Sequence, residues 1–117
     1  MRKILLLIEQ EWIAPRFDLC QEILIAQVHQ GELVEPPRNI LLGKSTAEKL
    51  FDFILKENCS ELICGAIQES HYSFLQWKKI AVADFVVGQW QQILDQALLQ
   101  PLPARSIFHP LKGFLHE

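Results

Sequence analysis

"ILLLI", residues 4–8, is an unbroken apolar run, and its reading decides the fold. A strand with one wet face alternates polar and apolar residues, whereas a strand covered on both faces does not. The run therefore predicts a central strand with layers on either side. It ends at Glu9, too soon for a signal-peptide core or a membrane span. The expected home is the cytoplasm, without membrane contact.

Outward from that strand, Glu9 to Arg16 reads as a loop carrying Pro15. Glu22 to His29 is rich in β-formers, and Gln30-Gly31 turns it back into Leu33-Val34 as a hairpin. Pro36-Pro37 confines further pairing to an edge or ends it. Ser45 to Asn58 predicts a helix, with Ala47, Leu50, Phe51, Ile54 and Leu55 on one stripe. Leu62-Ile63-Cys64 is a short buried strand closed by Gly65. Glu69 to Lys79 predicts a second helix, Ile80 to Ala83 a strand, and Gly88 to Leu99 a third helix. Pro101 and Pro103 end the last helix.

The order is β-β-β-α-β-α-β-α. Tight connections make the first three strands an antiparallel meander, and right-handed crossovers set the later strands parallel to the first. The expectation is an α/β, ribonuclease H-like fold. It has a five-stranded mixed sheet of order 3-2-1-4-5 and three helices. Residues 1–100 form this domain, and 101–117 are a tail, extended or interface-forming, with a homodimer as one outcome.

At 117 residues, half of them hydrophobic and 21% charged, the chain fits one folded domain. A net charge of −3 argues against a non-specific nucleic-acid binder, which needs a basic face. Three cysteines suit reduced thiols better than a disulfide framework.

"LLGKST", residues 41–46, resembles part of a nucleotide-binding loop. That motif needs a glycine five positions before Gly43, and Arg38 stands there. Asn39 to Leu42 suit a strand end, and Ser45 with Glu48 reads as a capping box. No nucleotide hydrolysis is expected. A helix start beside Lys44 still attracts anions in general.

"IAPRFDLCQEILIAQVHQGEL", "GKSTAEKLFDFILKENCSELICGAI" and "KKIAVADFVVGQWQQILDQAL" together resemble the dinitrogenase iron–molybdenum cofactor biosynthesis family, of the NifX and NifB C-terminal type. The likeness runs over about residues 1–99 and rests on the order and spacing of short motifs. It implies a ribonuclease H-like fold that binds or ferries iron–sulfur or iron–molybdenum clusters without catalysis. Its implied partners are the cluster species and proteins of cluster assembly. Arg16 stands where cluster-carrying members tend to hold a histidine, and Asp18 where they hold a glycine.

The topology gathers several loops at the carboxyl ends of the parallel strands, where open α/β sheets bind ligands. The candidates there are Arg16, Lys44, Cys64, Gly65 and His71. Arg16 and Lys44 would make the edge positive, suited to an anion. Cys64 and His71 are the candidate metal ligands. The plainer readings are a core cysteine and an exposed histidine at a helix start. Cys59 and Cys64, at opposite ends of one strand, lie about 17 Å apart at the usual rise. A single cluster cannot bridge them in a monomer. Cys20 could approach the edge or pack in the core. Trp77 and Trp90 read as core or interface.

Two other classes compete. One is an interaction or regulatory module without metal. The other is a ribonuclease H-like nuclease, which gathers carboxylates on two metal ions. The first strand carries no acid before Glu9, so that set is thin.

Overall fold

The computed structural model describes residues 2–44 and 46–102. The tail from residue 103 onward lies outside them, as does its expected interface role. Among the described residues the fold is α/β, with three α-helices on a mixed open sheet.

β1 (Arg2–Glu9) is the centre. Ile4, Leu6 and Ile8 face one side, Leu5 and Leu7 the other, and each is at most 2% exposed. The odd-numbered face packs with Leu50 and Ile54 of α1 (Ala47–Lys56) and Leu75 of α2 (Glu69–Trp77). The even-numbered face packs with Ile93, Leu94 and Ala97 of α3 (Trp90–Leu99). Two cores sandwich the strand, which is why its sequence shows no alternation.

β1 pairs antiparallel with β3 (Glu22–His29) and parallel with β6 (Glu61–Ile63), which pairs parallel with β7 (Ala81–Ala83). β3 turns through Gln30 and Gly31, both at positive φ, into β4 (Glu32–Leu33). The hydrogen-bonded path is β4-β3-β1-β6-β7.

The sheet has seven strands rather than five. β5 (Arg38–Leu41) pairs with the first half of β3 and has no second strand partner among the described residues, the edge placement that Pro36-Pro37 left open. Val28 faces Leu33 and Ile25 faces Arg38. Three steps along β3 thus correspond to five on its neighbour. The prolines sit in that bulge, where they need not donate to the ladder. β2 (Trp12–Ile13) folds back on Ile8 and Glu9 through Gln10, which has positive φ.

α1 starts one residue later than the capping-box reading. Thr46 accepts the Lys49 N–H at 3.2 Å, and Ser45 lies outside the described residues. The residues that would form a nucleotide cradle, Arg38 to Leu41, are a paired antiparallel strand.

Arg2 ties the layers at the other end. Its guanidinium donates to both oxygens of Glu61 at 2.6 and 2.7 Å, and to the carbonyls of Ala97 and Leu98 at 2.6 and 3.3 Å. Glu61 is buried in the sheet, and the last carbonyls of a helix have no partner inside it. Arg2→Ala removes both services at once. Charged hydrogen bonds of this kind lead us to expect a loss of about 2–3 kcal/mol, read as a lower urea midpoint with an unchanged slope.

Candidate functional site

The carboxyl ends of β1, β6 and β7 are roofed by the chain itself. Ala14 donates to Leu7 O at 2.8 Å, so the backbone after β2 turns over the end of β1. The next residues meet the exit of β6. Ala66 N–H donates to Pro15 O, and Phe17 N–H to Ala66 O, each at 2.8 Å. Gly65 makes that approach possible. A Cβ there would lie 2.5 Å from the carbonyl oxygens of both Ala14 and Pro15, closer than packing tolerates. On the other side, Phe85 and Val86 donate to the carbonyls of Gly65 and Cys64 at 2.9 and 3.0 Å.

This roof bears on Cys64, read both as a candidate metal ligand and as a core cysteine. It does follow β6, but its side chain is 0% exposed and packs in the core with Ala14, Phe17 and Cys20. Desolvation pushes its thiol far up, and Asp84 adds to the effect. A buried protonated thiol packs; a metal needs the thiolate. Cys20 and Cys59 are also buried, with thiols pushed up to about 11 by desolvation. Cys20 therefore took the core option.

Arg16 is exposed beside the weld, bridged through its backbone to Ala66. Its guanidinium pairs with Asp18 at 2.9 Å, leaving the side chain 57% exposed. His71, in the first turn of α2, sits against the same loop. Its ring packs on Phe17 at 5.8 Å and edge-on to Phe51 at 5.2 Å. Its Nδ1 is buried without a hydrogen-bond partner among the described residues. Arg16, Gly65 and His71 thus share one loop junction. Lys44 does not join them. It lies at the β3 side, exposed, and its backbone carbonyl accepts from Lys49 Nζ at 3.2 Å. No three His, Cys, Asp or Glu side chains group for an ion among the described residues.

The roof loop separates two clefts. One, of about 210 Å³, is lined by Trp12, Ile13, Pro15, Gly65, Ala66 and residues 85–88. It is largely apolar, with Trp12 and Val87 exposed at its rim. The other, about 260 Å³, has Glu9, Glu22 and the buried Cys20 in its wall. Sequence reading missed the apolar cleft because β2, which forms one wall, is only two residues long. Trp77 proves to be 73% exposed rather than core, with Lys78 Nζ 4.7 Å from the ring centre. Trp90 is partly buried on the α3 side. No helix among the described residues is long and apolar enough to cross a membrane.

No known family's sequence pattern matches the chain, and no curated protein matches it in sequence. Solved structures do resemble it. The protein PH0822 superposes with a TM-score of 0.77 over 87% of this chain and 93% of its own, at 10% identity. A Methanocaldococcus jannaschii protein provisionally named a dinitrogenase gives 0.66, covering 82% and 86%, at 23% identity. A Thermotoga protein of the DUF35 family, provisionally named NifB, gives 0.67, covering 93% and 97%, at 14% identity. The likeness is one of fold.

The thiols provide a pH test. Their folded pKa values stand above the ordinary 9.0. Between pH 9 and 11 the native chain therefore holds more protons than the unfolded chain, and stability falls as pH rises. Urea midpoints at pH 8 and 10 check this: the drop shrinks in Cys20→Ala/Cys59→Ala. A Cys64 held as a thiolate would raise stability with pH instead.

Proposed function

We propose that this chain is a small, non-catalytic binding or carrier protein of the dinitrogenase iron–molybdenum cofactor biosynthesis type. In this reading its sheet is ribonuclease H-like, its home is the cytoplasm, and its cargo is an anionic iron–sulfur or iron–molybdenum cluster species. The partner is then a protein of cluster assembly that gives or takes the cargo. Two fold relatives carry names from that chemistry.

The observation that carries the reading is the junction of Arg16, Gly65 and His71 at the carboxyl edge. There, backbone meets backbone, and Arg16 carries an exposed guanidinium paired with Asp18. Open α/β sheets use this edge for ligands, and a guanidinium suits an anion. Cys64 does not fit as a ligand while the roof is in place. The cargo is therefore held by charge and hydrogen bonding, with His71, whose buried Nδ1 has no hydrogen-bond partner among the described residues, beside it. Lys44 contributes at most long-range attraction. No acid precedes Glu9 in β1, which counts against two-metal nuclease chemistry.

The test is anaerobic incubation with ferrous iron and sulfide, followed by desalting and iron analysis. Arg16→Ala and His71→Ala should each lower retained iron severalfold, while Cys64→Ala leaves it near the parent value. Retention that ignores both changes, or that depends on Cys59, overturns the site.

A second reading, an interaction module without metal, draws on Trp12 and Val87. These are 40% and 57% exposed on the rim of one apolar cleft. A parent protein that retains no iron while binding a partner through that rim would favour it.

A further inference from the structure

β5 leaves one of its edges open. In an antiparallel pair, facing residues alternate between those that exchange both backbone bonds and those that turn both groups away. Leu42 N–H donates to Gln21 O at 2.7 Å, in register with Ile40 facing Ile23 and Arg38 facing Ile25. Asn39 and Leu41 are therefore the residues whose N–H and C=O point away from β3. No other strand meets them among the described residues. An edge of this kind is a template for another extended chain.

The template has two different walls, because alternate side chains of a strand fall on opposite faces. On one face, Ile40 and Leu42 pack partly buried against the α1-side core. On the other, Leu41 is 76% exposed and stands opposite Glu22. The 260 Å³ cleft opens beside it, where Leu41 and the exposed Leu19 join Glu9 and Glu22. Glu22 is steered toward β5 by Asn39, whose Nδ2 donates to it at 2.7 Å. The negative field of both carboxylates reaches the Cys20 thiol. No lysine or arginine lines this cleft, and neither acid has an ion-pair partner among the described residues.

We propose that β5 takes up an extended segment of a protein partner as an added strand, and that this segment alternates basic and apolar residues. The outward groups of Asn39 and Leu41 supply the main-chain bonds, and the two walls select the side chains. Guest residues on the Ile40 side extend the apolar core. Guest residues on the Leu41 side lie two strand spacings, about 10 Å, from β3. A lysine or arginine crosses that span with its apolar stem on Leu41 and its charge at Glu22. An acid in the same place would meet like charge. Pro36-Pro37 bounds the site at one end, since neither proline offers a donor.

A second copy of the chain is a poorer guest. Two β5 edges related by a twofold axis run antiparallel, and each brings only Asn39 and Leu41 to the Glu22 face. The charge of β5, Arg38, lies on the Ile40 side and is paired with Glu57 at 2.8 Å. The acidic wall would stay unanswered.

The test uses the full chain, no iron, and two capped synthetic peptides, one alternating lysine with valine and the other glutamate with valine. The lysine peptide should give saturable amide shifts at residues 39–42 and at Glu22. At saturation, hydrogen exchange at Asn39 and Leu41 should slow about tenfold or more, while Ile40, already bonded to β3, changes little. The glutamate peptide should bind about tenfold more weakly or worse at low salt. Leu41→Pro deletes an outward donor and leaves the β3 ladder intact, so it should weaken the lysine peptide by up to about tenfold beyond Leu41→Ala. Equal affinity for the two peptides overturns the proposal, as does unchanged exchange at Asn39 and Leu41 in the saturated parent. If Leu41→Pro does not fold, exchange in the parent still decides. Slowing of the same amides with protein concentration alone would make a second copy the occupant and also overturn it.

Discussion

The contact on which the functional end of this protein depends is backbone against backbone. Gly65 meets Ala14 and Pro15 where no Cβ can stand. The two loops then lock through Ala66 and Phe17. That lock brings Phe17 down over the core, seals Cys64 beneath it and gives His71 a ring to rest on. It also raises the wall between the two clefts. A side chain at residue 65 would lift the roof and change all of these together.

The lock explains why a strand-end cysteine is buried here. From the chain alone, Cys64 sits where an open α/β sheet presents its ligands. The return of residues 12–17 over that edge helps remove it from solvent. Desolvation then keeps the proton on sulfur. What stays at the surface is a guanidinium, a half-buried imidazole and an apolar cleft. Those groups suit a bulky anion or a partner's apolar side chains better than a bare ion.

Much of the fold was legible because β1 states its own environment. Five apolar residues in a row require cover on both faces, and the helix stripes that supply it were readable at Leu50, Ile54, Ile93, Leu94 and Ala97. The strand Glu22 to His29 and its Gln30-Gly31 turn were equally plain. β2 and β5 were not. β2 is two residues long and carries no periodicity, and the Pro-Pro pair left β5, readable only as a strand end at Asn39 to Leu42, between an edge place and no pairing. The site was legible as an edge but not as a surface. Arg16, Gly65 and His71 do meet. Lys44 stands apart across β3, and Cys64 is buried by a loop whose path depends on tertiary contacts.

The central claim is that ligand meets this protein at the roofed carboxyl edge through charge rather than through thiolate. The most direct measurement is an amide chemical-shift map of the full chain titrated with tetrathiomolybdate, a small molybdenum–sulfur anion. The account predicts saturable shifts centred on residues 14–17 and 65–71, lost in Arg16→Ala and retained in Cys64→Ala. Shifts centred instead on Asn58 to Ser60 and Lys78 to Ile80, at the opposite end of the parallel strands, would contradict it.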